Sequence, residues 1–220
     1  YNPNGRSVQT VFKVLLCIFS VVLLAYQIKF VRAGNDTMFD RKIGALASSL
    51  QINDSRYLKQ LFPDSTYLLS VASKSLDRGM GYLTKYPYAN NGSEMGSNLG
   101  TLETHSYFGS VDGIELISSQ DAGFIRVMGS IFDGVTQKVP DKLAIVDSVG
   151  NIIGFALSGG SSADARKAYG DGARYAKFVG YAKSSAAGKE IRLIPDSKSC
   201  ILKATVPKIV FEHFTDVSEH

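Results

Sequence analysis

Between Ser110 and Lys208 short apolar runs recur between turn-forming clusters: GIELI, FIRVMGSIF, KLAIVD, IIGFAL, AKFVGYA, EIRLI and CILKATV. A strand with one buried face alternates apolar and polar residues with period two. Seven such runs, separated by Gly, Pro, Asp and Ser, fit a β-sandwich or barrel better than a parallel α/β sheet. The clearest hairpin is KLAIVDSVGNIIGFAL, where the Gly150-Asn151 pair sits at a tight turn that needs positive φ. DARKAYGDGAR, 164–174, interrupts the strand pattern with one or two helical turns, which Gly170 and Gly172 end.

A very different pattern precedes this region. From Val11 to Val31 the chain reads VFKVLLCIFSVVLLAYQIKFV, interrupted among strongly polar types only by Lys13, Gln27 and Lys29. The uninterrupted part, Val14 to Tyr26, is short for a bilayer, but lysines near both ends snorkel and lengthen it, and Tyr26 and Phe30 suit an interface. The pattern predicts a transmembrane helix over 8–32. A cleaved signal peptide fits less well, because QIKFVRAGND offers no small-x-small site directly after the apolar core. Basic residues flank both ends, so charge does not orient the span. With Tyr at position 1, the chain reads as a fragment of a longer protein.

Between anchor and strands, Phe39, Ile43, Leu46, Ala47 and Leu50 recur at helical spacing, with Asp36 and Asp40 near the helix start. A shorter helix is predicted over NDSRYLKQLF, stopping at Pro63, and a buried strand over STYLLSVAS, 65–73. Residues 77–109 lose periodicity and gather Gly, Asn and Tyr, as a long irregular loop does. Here Tyr82, Tyr86 and Tyr88, with Asn90 and Asn91, supply flat aromatic faces and amide donors suited to sugars or peptides, and form the candidate substrate-binding set. The plainer alternative is a surface loop with a few packed tyrosines. The chain thus reads as α+β: a transmembrane helix (8–32), a small α/β segment with a long loop (33–109), an all-β sandwich-like domain (110–208) and a tail (209–220).

Several function classes are excluded or left without residues. Lys and Arg total 24 against 20 Asp and Glu, giving +4 with no block of like charge, so nucleic acid is not an expected partner. Cys17 and Cys200 form neither a disulfide framework nor a zinc set. No nucleophile elbow, phosphate loop, dinucleotide fingerprint, HExxH or paired CxxC occurs. GGSSAD, 159–164, lacks the Lys of a phosphate loop and reads as a plain loop. Asp36 and Asp40 are explained by helix-start electrostatics rather than by a metal. His105, His213 and His220 are the only histidines; His105 with Asp112 or Glu103 makes a weak triad, and EHFTDVSEH reads as a solvated tail. No catalytic residue, metal ligand or cofactor is assigned. N-x-[ST] sequons at Asn35, Asn53 and Asn91 matter only in an exported compartment that glycosylates them.

The string GFIRVMGSIFDGVTQKVPDKLAIVDSVGNIIGFALSGG, with KFVGYA and GKEIRLIPDSKSCIL behind it, resembles the C-terminal extracytoplasmic region of bacterial GT-C-type multi-spanning membrane glycosyltransferases. The resemblance implies a last membrane helix, a helical α/β segment and a β-sandwich, spanning residues 8–208. It implies an accessory region of an enzyme that transfers a sugar from a polyprenyl-phosphate carrier to a cell-surface glycan, with this region periplasmic at the inner membrane. The family's catalytic acid sits between earlier helices, so no catalytic residue carries over. The expected partners are the lipid bilayer, a surface glycan or polyprenyl-linked sugar, and other membrane helices of the same protein. The alternative is a self-standing membrane-anchored glycan- or protein-binding or structural module without enzyme activity. A third reading is a single-span sensor whose 35–208 region detects a ligand.

Overall fold

The computed structural model describes residues 4–99, 108–117, 123–186, 189–195 and 202–205, with backbone alone for 4–14, 28–33 and 203–205. The chain forms two units, Tyr1–Met38 and Phe39–His220. One uninterrupted helix of 46 residues, α1 (Asn4–Ser49), supplies the first unit and the opening of the second.

In the first unit every described side chain from Leu15 to Gln27 is exposed. Apolar residues face outward all round the helix, and the Ser20 hydroxyl donates back to the Leu16 carbonyl at 2.8 Å. Among the described residues no helix is long and apolar enough to cross a membrane. The fold therefore gives the predicted span over 8–32 a helical backbone with an exposed apolar stretch, but not the length and apolarity of a membrane-crossing helix.

The second unit begins where α1 turns apolar on its inner side: Phe39, Ile43, Leu46 and Ala47 are buried, as their spacing predicts. Gly44 lies against α2 (Ser55–Leu58), where a Cβ would meet the Tyr57 carbonyl oxygen at 2.6 Å. Residues 65–73, expected as a strand, instead lie in a helix, α3 (Ser65–Asp77). The Asp64 carboxylate accepts from the Tyr67 amide at 3.0 Å as an N-cap. Leu68, Leu69, Ala72 and Leu76 then turn toward the core at helical spacing. A short apolar run is compatible with either period, and here the cap and the length decide for helix. The described residues from 33 to 99 are accordingly helical with irregular connections, and the first strand begins at Phe108.

All seven predicted apolar runs form strands: β1 (Phe108–Leu116), β2 (Phe124–Phe132), β3 (Lys142–Val146), β4 (Ile152–Gly160), β5 (Lys177–Lys183), β6 (Glu190–Pro195) and β7 (Leu202–Thr205). They do not form a sandwich of two sheets. One antiparallel sheet runs in the order β1-β2-β5-β4-β3-β6-β7 and curls until β1 and β7 touch. Its inner face is filled by residues such as Ile125, Val127, Leu143, Ile145, Phe178 and Leu193. Its outer face, with Ala144, Phe155, Leu157, Val179 and Tyr181, packs against α1 and α2. The curl is tight because the inner face carries glycine at its narrowest points. A Cβ at Gly180 would collide with Ala156, and one at Gly129 with the Ser110 carbonyl and the Phe178 ring.

The β3–β4 turn has Gly150 at φ 96°, as expected, while Asn151 enters the sheet through a bridge to Asn98. The Asp147 carboxylate accepts from the amides of Val149 and Asn151, each at 2.9 Å, and closes the turn. The segment Gly96–Leu99 lies along the start of β4: Gly96 donates to the Ile152 carbonyl, Ile152 to Ser97 and Leu99 to Gly150. The hairpin thereby orders the end of the predicted long loop. Ser162 caps α5 (Ala163–Tyr169) and Gly170, at φ 90°, ends it. Gly172 lies inside the 3-10 turn that follows, rather than ending one.

Candidate functional site

An open cleft of about 350 Å³ lies where the ends of α1 and α3 meet α4 (Asn91–Glu94) and β2. Leu50, Leu76, Met95 and Phe124 give it an apolar wall, and Ser49, Gln51, Ser73 and Asp77 supply its polar groups. Its size falls in the range of small-molecule sites. Among the described residues no Lys, Arg or His lines it.

The local backbone builds this cleft at some cost. α1 ends in a Schellman arrangement, Ile52 donating to the Ala47 carbonyl and Gln51 to Ser48. Glycine normally occupies the left-handed position of that motif, but here Gln51 holds it at φ 57° and its side-chain Nε2 donates to Ser48 O at 2.9 Å. A left-handed residue with a Cβ costs about 1 kcal/mol. Asn90, directly before α4, is also left-handed, at φ 63°. Next to it Asn91, 1 % exposed, donates through Nδ2 to the Ser49 hydroxyl at a long 3.3 Å. Its Oδ1 is buried and has no hydrogen-bond partner among the described residues. An unmet buried acceptor costs about 1–3 kcal/mol.

A second polar constellation joins the helices to the sheet. Asp54, the N-cap of α2, is buried and receives Arg126 of β2 through Nε at 2.9 Å and Nη2 at 2.7 Å. The Tyr181 hydroxyl donates to the same carboxylate at 2.8 Å, and Arg126 Nη1 reaches Glu115 of β1 at 2.5 Å. The Tyr57 ring lies 5.4 Å from the guanidinium carbon. Burial pushes the Tyr181 hydroxyl well above its ordinary pKa, and the neighbouring Asp54 charge pushes it the same way. Burial opposes the Arg126 charge, but the bonds and charge of Asp54 outweigh it and hold the guanidinium above its usual value. Every group here is paired with another, so the cluster fastens α2 to β1, β2 and β5 rather than awaiting a ligand.

The five residues singled out in the loop are divided by the fold. Tyr82 and Tyr86 are exposed, Tyr86 at 61 %, whereas Tyr88 is 6 % exposed and meets the Tyr82 ring edge-on at 4.8 Å. Burial pushes the Tyr88 hydroxyl far up. Asn90 sits at the left-handed entry to α4, and Asn91 lies behind the cleft wall formed by Ser49. Tyr82 and Tyr88 are brought together, while Asn91 lies buried behind the cleft wall and away from the tyrosines. Asn91 is also too enclosed to carry a glycan, Asn53 is half-buried, and Asn35 is exposed on α1.

His105, Glu103, His213, His220 and Cys200 lie outside the described residues, as does the predicted tail over 209–220. Asp112 accepts from the Ser110 hydroxyl at 2.5 Å, and Cys17 is free and exposed. Among the described residues no three His, Cys, Asp or Glu side chains gather where they would hold a metal ion. The cleft and the Asp54 cluster both escape sequence reading. The one local sign of the second is Arg126, a charge inside a strand of mostly apolar residues; the first had none. No protein-family model, curated protein or solved structure matches the chain.

Proposed function

We propose that this chain is a bilayer-tethered recognition module, in which α1 anchors an α+β domain whose cleft takes a ligand. The observation that carries the reading is the exposure of α1 from Leu15 to Leu24 on all sides. A helix with one protein partner needs an apolar stripe, whereas a helix that is apolar all round asks for surroundings that are apolar all round, as lipid is. The Ser20 hydroxyl, satisfied within the helix, suits that environment. The helix that carries this stretch also supplies Phe39 to the core of the second unit.

Flotation of the full chain with phosphatidylcholine vesicles tests the tether. The chain should rise with the vesicles and resist high-salt extraction, and Leu16→Asp with Val22→Asp should return it to the aqueous fraction. A full chain that stays in the aqueous fraction overturns the anchor.

A narrower reading makes the module part of a glycosyltransferase that uses a polyprenyl-phosphate sugar at the bacterial inner membrane, with the domain periplasmic. It rests on the resemblance carried by residues 123–160 and on the exposed rings of Tyr82 and Tyr86. Titration with surface oligosaccharides should then shift resonances at Tyr82 and Tyr86. Saturable shifts elsewhere only, or none, remove the glycan.

A further inference from the structure

The core accounts for one face of α3, to which Leu68, Leu69, Ala72 and Leu76 turn. On the opposite side Tyr67, Val71, Lys74 and Arg78 follow one another at helical spacing, and all four are exposed, Tyr67 at 58 %. The exposed Phe62 ring lies 5.6 Å from that of Tyr67 and extends this stripe back across Pro63. Lys59, also exposed, precedes Phe62 by three residues in a helical turn that Phe62 closes by donating to the Leu58 carbonyl. At the other end the chain folds back on α3, the Met80 amide donating to the Ser75 carbonyl, and Met80 is left exposed just past the helix.

A surface helix in water keeps its rings and aliphatic groups inside and turns polar groups outward. Here two rings, a valine and a methionine are exposed along one stripe with three cations. Among the described residues none of Lys59, Lys74 and Arg78 makes an ion pair. The two acids of the segment are turned to other tasks: Asp64 caps the helix through the Tyr67 amide, and Asp77 lines the cleft. The stripe therefore presents positive charge beside apolar surface. Lysine is depleted from the core of protein interfaces, which speaks against a protein partner. Aromatic rings beside Lys and Arg suit the headgroup region of a bilayer, where rings meet the acyl boundary and cations meet lipid phosphate. We propose that the outer side of α3, with Lys59, Phe62 and Met80, is a membrane contact that docks the domain on a bilayer surface carrying anionic lipid. This contact rests on the reading of the chain as bilayer-tethered, because so small a patch binds weakly by itself and a tether raises its effective concentration.

The test places the full chain in nanodiscs of phosphatidylcholine, alone or mixed with phosphatidylglycerol, that contain a lipid carrying a gadolinium chelate. In the mixed discs the amides of Tyr67, Val71 and Met80 should broaden more than those of Ile145 and Leu193 on the inner face of the sheet, and high salt should reverse it. Lys74→Glu with Arg78→Glu should remove the broadening and leave the melting temperature unchanged, because both side chains are exposed. The Leu16→Asp, Val22→Asp chain isolates the patch from the tether. It should still sediment with phosphatidylglycerol vesicles, and the two charge reversals should weaken that binding at least tenfold, a basic residue near an anionic surface being worth about fivefold. Equal broadening in neutral and mixed discs, or charge-reversed variants that dock undiminished, overturns the contact and leaves the tether standing. A chain that ignores neutral vesicles yet binds anionic ones through Lys74 and Arg78 removes the tether and keeps the contact. Self-association of the Leu16→Asp, Val22→Asp chain without lipid, abolished by Tyr67→Ser, assigns the stripe to a second copy and overturns the proposal.

Discussion

Both faces of the curled sheet are buried, yet they are built by different rules. The inner face contains Ile, Leu, Val, Phe, Ala and Gly and relies on shape, with glycine where strands approach most closely. The outer face combines apolar packing with the Asp54–Arg126–Tyr181 cluster and, at its margin, the open cleft. An apolar interior is satisfied by any arrangement that fills it, so it sets closure and curvature but leaves orientation open. Bidentate ionic contacts are directional, so they select one seating of α2 on the strands. Shape closes the sheet, and directional bonds aim the helices that form the cleft.

The largest expected effect breaks the inner face. Phe178→Ala removes a fully buried ring and should cost about 3–5 kcal/mol in urea unfolding. A loss below 1 kcal/mol would mean that the inner face is less well filled than its contacts imply.

The outer face should respond to pairing rather than to volume. Arg126→Met strands the Asp54 charge and should cost about 3 kcal/mol. Adding Asp54→Asn removes that charge, keeps the helix cap and should restore at least half of the loss. A double variant as unstable as the single one would show that the ionic geometry itself is needed.

Acid offers a smaller probe. Burial pushes the Asp147 carboxyl up, but hydrogen bonds from Asn151 and the Val149 and Gly150 amides outweigh it and hold it below the usual range. Burial likewise opposes Asp133, and bonds from Thr136 and Val135 again prevail. With folded pKa values below unfolded ones, their contribution is complete above about pH 4 and is lost as pH falls through the folded values. Asp147→Ala should cost about 1 kcal/mol at neutral pH and flatten that acid limb. Hydrogen exchange at Asn151 and Val149 would report the loosened turn.

The smallest effect has the opposite sign. Gln51→Gly places glycine at its preferred position after α1 and should stabilise the fold by about 0.5–1 kcal/mol, read as a rise in the urea midpoint. Destabilisation would show that the Gln51 bond to Ser48 outweighs the backbone strain. This variant also tests the cleft, because it removes one of its polar lining groups while the inner face is untouched.

Much of the strand pattern was legible because period-two alternation is written in neighbouring residues, and so was the helical face Phe39–Leu46. The α3 segment was misread because Leu68-Leu69 beside Val71-Ala72 suits either period, and its identity depends on the Asp64 cap. The two-sheet reading failed for a related reason: alternation says that a strand has a buried face, not whether the facing strand belongs to a second sheet or to the same sheet curled round. Of the residues in and behind the cleft, Leu50 was named in advance only as part of a helical face, and Asn91 for surface chemistry rather than for its buried place behind the wall.

By itself the sequence determined where the strands of the sheet and the core face of α1 form, the apolar stretch that leaves α1 exposed, and the turn chemistry of Asp147 and Gly150. Only the tertiary structure decided the closure of the sheet, the pairing of Asp54 with Arg126 across 72 residues and with Tyr181 across 127, and the meeting of four elements at one cleft. Periodicity and caps act over a few bonds and can be read from neighbours. A contact across a hundred residues exists only when the whole chain has met the entropy of closing that loop.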